Sequence, residues 1–215
     1  MPKTVEFLFD FVSPTSYLAY MVLSKIVDRA DASMTWTPVF LGGIMQATGN
    51  RPPGTVDAKA KWMAADTARW AHHYGIAYRR NSAFPVNTLA ILRGAVAFED
   101  DPLIRPYCDA MFNAMWVEDR DLSKRAEIDA VLNTLGMDPE IFHERIAEQE
   151  IKDRLKANTE DAVARGVFGA PTFFVRGNMH FGQDRLWMVG EDLGIPPVEA
   201  FEIVLGGHEA APAEA

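Results

Sequence analysis

Ser13 and Pro14 stand where a strand-like stretch gives way to a helical one, a place where a single hydroxyl can do chemistry. The first N–H groups of a helix and the positive end of its dipole favour negative charge, and a thiol held there ionises more readily. A serine hydroxyl can donate to a bound thiolate without being consumed, and it cannot form a mixed disulfide. Ser13 equally suits a plain helix cap, since Ser is a preferred N-cap and Pro is favoured at the first helical position. A covalent serine mechanism is disfavoured. His72, His73, His143, His180 and His208 are present, but no GxSxG elbow accompanies them.

A second corner lies at Gly169-Ala170-Pro171-Thr172, where a proline directly precedes the apolar run Phe173-Phe174-Val175. A strand-initiating trans proline fits and is the commoner state. A cis proline, turning the Ala170 N–H and C=O outward toward an extended ligand, fits as well, and these residues do not choose between them. The single cysteine, Cys108, excludes an internal disulfide, and Tyr107 and Met111 beside it point to a buried apolar role. No CxxC and no Cys/His cluster at metal-ligand spacing occurs.

The elements that must position these corners follow from periodicity. Val5, Phe7 and Phe9 alternate with Glu6, Leu8 and Asp10 as in a strand, and Tyr17, Leu18, Met21, Val22, Lys25 and Ile26 recur at helical spacing. Met34 to Phe40 is a second strand, so the opening is a strand–helix–strand unit with parallel strands. Residues from about 44 to 165 are mostly helical, with the clearest periodicity in Asp57 to Tyr74, Val86 to Phe98 and Ile104 to Trp116, and a helix start at Asp138-Pro139. Strands return at 172–175 and 179–181 around a turn at Arg176-Gly177-Asn178. Helix resumes at Gln183 and again at Pro196-Pro197, and a frayed tail is expected from Ala210 to Ala215. The simplest architecture is one mixed sheet split by a helical insertion.

The 215 residues carry a net charge of −9, which argues against binding a phosphate backbone. Hydrophobic residues at 48% and charged residues at 24% are the balance of a soluble globular chain able to bury a core. No segment approaches the roughly 20 apolar residues of a membrane span, and the opening lacks the apolar run of a signal peptide, so a cytoplasmic location is expected, with no nucleic-acid or membrane partner.

Four motifs in order resemble the 2-hydroxychromene-2-carboxylate isomerase family, which is related to kappa-class glutathione transferases and DsbA-type oxidoreductases. They are Phe9-Asp-Phe-Val-Ser-Pro-Thr-Ser-Tyr-Leu-Ala, the stretch from Trp62 to Trp70 with Asp66 and Arg69, Gly166-Val-Phe-Gly-Ala-Pro-Thr-Phe-Phe, and Phe181-Gly-Gln-Asp-Arg-Leu. The similarity spans nearly the whole chain. It implies an α/β, thioredoxin-like fold with an inserted all-helical domain, residues 1–43 and 166–215 forming the first part and 44–165 the insertion. It implies a homodimer that binds glutathione as cofactor and an aromatic carboxylate as substrate.

Residue by residue, the resemblance assigns Ser13 to the hydroxyl that hydrogen-bonds the glutathione sulfur. Pro171 matches the cis-proline, and Ala170 the residue whose backbone pairs with the cysteinyl part. Gln183 and Asp184 match the stretch holding the γ-glutamyl end, where an N-terminal helix turn suits a carboxylate and Asp184 accepts from the ammonium. The family often has Val where Ala170 stands and Asn where Gln183 stands. On the substrate side Asn50, Lys59 and Asn87 are candidates, with Arg93 a second cation for the carboxylate; a solvated helix face or a cap explains each as well. Trp62, Trp70 and Trp116 suit an aromatic pocket or the core. The implied reaction is glutathione-dependent interconversion of 2-hydroxychromene-2-carboxylate and trans-o-hydroxybenzylidenepyruvate in naphthalene degradation. The alternatives are a kappa-like transferase forming a stable adduct, and a non-catalytic binding module on the same fold. A DsbA-type oxidoreductase is disfavoured by the absence of cysteine at position 13.

Overall fold

The structure, a computed structural model, describes residues 3–205. Strand β1 (Thr4–Phe9), helix α1 (Pro14–Ala30) and strand β2 (Ser33–Pro38) open the chain, and β1 pairs parallel with β2 so that Phe7 faces Trp36. Strands β3 (Thr172–Val175) and β4 (Asn178–Phe181) return as an antiparallel hairpin, with β3 antiparallel to β1. The sheet order is β2-β1-β3-β4, so the two sequence-distant strands β1 and β3 lie side by side at its centre. That is the mixed sheet expected.

Between β2 and β3 the described elements are helical: α2 (Leu41–Thr48), α3 (Asp57–His73), α4 (Leu89–Ala97), α5 (Ile104–Trp116), α6 (Arg125–Thr134), α7 (Pro139–Ala147) and α8 (Gln149–Ala164). After β4 come α9 (Leu186–Asp192) and α10 (Pro197–Leu205). Asp138 caps α7, its carboxylate accepting from the Glu140 and Ile141 N–H groups, with Pro139 in the first turn. The expected tail from 210 to 215 lies outside the described residues.

Both faces of β1 are covered. Phe7, Phe9 and Phe11 pack with Tyr20, Trp36 and Phe112 on one side, in stacked, tilted and edge-on pairs, while Leu8 meets Val39, Ile44, Ala162 and Val167 on the other. Aromatic burial of this extent is the main source of stability in such a sheet. Among the described residues no helix is long and apolar enough to cross a membrane.

Tyr17, Leu18, Met21, Val22, Lys25 and Ile26 all lie in α1 as expected; its buried stripe is Tyr17, Leu18, Tyr20, Val22, Leu23 and Ile26, with Met21 and Lys25 facing solvent. Two expectations need correction. Helix α4 starts at Leu89 rather than Val86, because the side chain of Asn87 accepts from the Leu89 N–H in a tight turn that follows Pro85. Strand β2 stops at Pro38, where the chain bends to let Val39 N–H reach the Phe9 carbonyl and to start α2. Helix α2 contains Gly42 and Gly43; a Cβ at Gly42 would stand 2.8 Å from the Phe40 ring.

Candidate active site

Ser13 sits at the N-cap of α1 with extended backbone (φ −84°, ψ 113°), and its Oγ accepts from the Ser16 N–H at 3.1 Å. The capping role is therefore real. The same oxygen donates to the Ala170 carbonyl at 3.0 Å, and the Thr15 hydroxyl lies 3.0 Å away. A serine hydroxyl has one proton and two lone pairs. With its proton on Ala170 and one lone pair taken by Ser16, Ser13 accepts from Thr15 with the other. Ser13 is 4% exposed, and no acidic residue occupies the first turn of α1, which favours an anion at its N-terminus.

The corner is held rigid from beneath by Asp10. Its buried carboxylate accepts from Val12 N–H (3.0 Å), Leu41 N–H (2.9 Å) and the Thr88 hydroxyl (2.7 Å), while its own carbonyl accepts from Ser13 N–H. These bonds tie the β1–α1 turn to the starts of α2 and α4. Burial pushes the Asp10 carboxyl above the ordinary carboxylate range, against the pull of the three donors. The Trp116 indole adds a bond to the Phe11 carbonyl at 2.9 Å. Trp116 is thus core and does not line a pocket.

The second corner meets the first. The Ala170–Pro171 peptide is cis, in the direction the resemblance implied; Phe84–Pro85 is cis as well. The Pro171 carbonyl accepts from Gly182 N–H at 3.0 Å, which brings the turn at Gly182-Gln183-Asp184 alongside. Gly182 has φ +93°, a conformation L side chains rarely adopt, so glycine is needed for the turn that leads into Gln183. Gln183 is buried, and its carbonyl accepts from the Tyr74 hydroxyl at 3.2 Å. Burial, helped by the Asp184 carboxylate, pushes that phenol well above its usual range. Asp184 itself reaches solvent and pairs with Arg185 at 2.8 Å.

Ser13, Ala170, Pro171, Gln183 and Asp184, spread over the first and last parts of the sequence, are thereby joined by a continuous run of bonds. The substrate-side candidates fare differently. The Asn50 amide donates to the Phe168 carbonyl at 2.7 Å, two residues before Ala170, so Asn50 supports the cis-proline loop. Phe168 and Phe181, whose ring centroids are 4.5 Å apart, form an exposed aromatic ledge beside it. The Asn87 side chain accepts from the Leu89 N–H in the turn before α4, and Lys59 stands on the exposed face of α3. Arg93 lines a groove between α2, α4 and α8 that does not include Ser13 or the other residues of the joined corners. Trp62 is exposed, and Trp70 packs on Tyr74.

Cys108 is fully buried, and desolvation drives its thiol well above the usual range, as expected for an inert core residue. Sequence reasoning passed over Asp10, Tyr74 and Thr15. Thr15 had the best signal, two residues after Ser13. The role of Asp10 rests on Leu41 and Thr88, and that of Tyr74 on Gln183, partners that only the fold reveals.

Fold and corners together define a thioredoxin-type protein with a serine hydroxyl at the start of α1. Residues 4–194 match the DSBA-like thioredoxin domain family. A 2-hydroxychromene-2-carboxylate isomerase from Pseudomonas putida is 31% identical over 194 residues, covering 88% of this chain and 94% of its own. Glutathione S-transferase kappa 1 from Homo sapiens is 29% identical over 221 residues, covering 92% and 96%. A solved 2-hydroxychromene-2-carboxylate isomerase superimposes with a TM-score of 0.82 at 29% identity, covering 89% of this chain and 94% of that one. The chain belongs to the 2-hydroxychromene-2-carboxylate isomerase family of DSBA-like thioredoxin domain proteins.

Proposed function

We propose that the protein is a glutathione-dependent isomerase that interconverts 2-hydroxychromene-2-carboxylate and trans-o-hydroxybenzylidenepyruvate, with glutathione returned unchanged. The observation that carries the reading is the Ser13 hydroxyl, buried at an acid-free helix start and bonded to the Ala170 carbonyl. The relatives bearing this isomerase name align over most of both chains, which supports the reaction class.

The residues present suit glutathione. The Ala170 backbone beside Pro171 offers an N–H and a C=O to an extended peptide. Asp184, exposed at the start of a helical turn, offers a carboxylate to an ammonium group. The N-terminal turn of α1 favours a sulfur anion at Ser13. Bound there, glutathione would supply a nucleophilic sulfur for reversible addition to the conjugated system of the substrate, chemistry that would let a double bond rotate and leave the thiol to be returned.

The protein's own part is to hold and switch bonds. When a peptide N–H pairs with the Ala170 carbonyl, that carbonyl no longer needs the Ser13 proton. Ser13 then turns its O–H toward the sulfur, while Thr15 and Ser16 continue to fix its oxygen. This switch favours the thiolate electrostatically without a covalent step at serine. Asp10 keeps the turn from moving as it happens. Asn50, through Phe168, keeps the cis-proline loop in register with it.

A titration of bound glutathione by thiolate ultraviolet absorbance tests the reading. The bound thiol is expected to ionise well below the ordinary thiol value of about 8.5, and Ser13→Ala to lose most of that shift. A bound thiol with ordinary acidity in the wild type would contradict the proposal.

A further inference from the structure

A groove of about 510 Å³ opens between α2, α4 and α8, a volume suited to a small organic molecule, for which pockets run from about 300 to 1,000 Å³. Its apolar lining is Phe40, Leu89, Leu155 and Val163, and its cations are Arg93 on α4 with Lys152 and Lys156 on α8. The lysines lie one helical turn apart and so share a face. Glu160 is the one acid in the lining, and its carboxylate stands 3.6 Å from Lys156 where both side chains are largely exposed. In a chain of net charge −9, a groove with three cations against one acid is a local reversal of sign.

Arg93 supplies a second, independent observation. Its Nε is buried and has no hydrogen-bond partner. A guanidinium is charged at every physiological pH, and a buried donor left unpaired is costly. Turning this group toward an acceptor in the groove breaks no bond at Nε. Thr159 in the lining is committed: it donates to the Leu155 carbonyl and accepts from Phe40 N–H. The groove therefore offers apolar walls, two lysine ammonium groups and an under-used guanidinium, the donor set for a planar or alkyl body bearing one carboxylate or sulfonate.

We infer that this groove is a second ligand site, which binds an amphiphilic organic anion independently of the glutathione corner. None of Ser13, Ala170, Pro171, Gln183 and Asp184 lines it. The inference stands whether or not the isomerase reading does, because it rests on other residues.

The test is a fluorescence titration of the full-length protein with anilinonaphthalene sulfonate, and with the uncharged phenylnaphthylamine as its control. One saturable site is expected, unchanged by saturating glutathione and by Asp184→Asn. Its dissociation constant rises about tenfold or more in Arg93→Gln and in the Lys152→Gln/Lys156→Gln double variant, the range expected on losing charge-assisted bonds. The uncharged probe binds at least about tenfold more weakly. The double variant changes side chains that reach solvent on α8, so it decides the matter even if Arg93→Gln does not fold. Unchanged affinity in a folded double variant, displacement by glutathione, or equal binding of the uncharged probe would each overturn the inference.

Discussion

The Ser13 hydroxyl donates to the Ala170 carbonyl at 3.0 Å across 157 positions of sequence. One bond thus joins the start of α1 to the residue before the cis-proline, and both partners are groups that a bound thiol peptide would use. Ser13→Ala removes this bond, the contact with Thr15 and the cap on Ser16. Turnover at saturating glutathione is expected to fall about 100-fold, the usual effect of deleting one electrostatic donor from a reacting centre. The lost cap costs about 1 kcal/mol, a loss the fold tolerates. Steady-state kinetics paired with thermal unfolding separates the two effects.

Asp184 is proposed to meet the ammonium end of glutathione, and Arg185 already pairs with its carboxylate. Asp184→Asn is expected to weaken glutathione binding about tenfold, measured by calorimetry. An analogue lacking the amino group should bind wild type and variant alike. Equal loss for both ligands would mean that Asp184 acts only on the local turn.

Asn50 acts through Phe168. Asn50→Ala removes an exposed amide bond worth about 1 kcal/mol at most. Its expected signature is a several-fold rise in KM for glutathione with a smaller change in kcat, since the loop moves while Ser13 stays capped. Asn50→Asp, which sets a carboxylate against the Phe168 carbonyl, is expected to be worse than Ala in the same assay.

Asp10 gives a pH dependence with a defined sign. Its folded carboxyl lies above the unfolded value of 3.8, raised by burial. Between those two values the folded state binds the extra proton, so stability falls as pH rises through the window. Relative to Asp10→Asn, which does not titrate, the wild type should gain stability as pH drops through the raised value and level off below 3.8. Urea unfolding of both proteins across that range measures it. Asp10→Ala, which leaves three donors without their acceptor, is expected to cost about 3 kcal/mol or more at neutral pH.

Gly169 precedes Ala170, and a Cβ there would stand 2.8 Å from the Phe181 ring. Gly169→Ala should displace that ring and cost about 1–3 kcal/mol, read by chemical denaturation. Adding Phe181→Ala should recover part of the loss.

The two corners were legible because each is written in contiguous residues. Ser13-Pro14 announces a cap, and Gly169-Ala170-Pro171 announces a break before an apolar strand. Strand alternation in Val5, Phe7 and Phe9 placed β1, and the hairpin after Pro171 followed from its turn residues. The state of Pro171 came from resemblance, since local chemistry admits both isomers. Asp10 escaped notice because a carboxylate in an apolar strand shows its purpose only when Leu41 and Thr88 arrive from other elements. Asn50, a substrate-side candidate by resemblance, donates to a carbonyl 118 positions away, a contact no local pattern announces. For Lys59, Asn87 and Arg93, sequence supplied charge or polarity without direction. The fold places Lys59 on an exposed helix face, Asn87 in the turn before α4 and Arg93 in a separate groove.

The central claim is that this corner uses glutathione as a returned thiol. Absorbance-followed turnover of 2-hydroxychromene-2-carboxylate, with and without glutathione and with the thiol assayed at the end, tests it most directly. The account predicts isomerisation that requires glutathione and leaves all of it recoverable. Isomerisation at full rate without glutathione, or its consumption into a stable adduct, would contradict it.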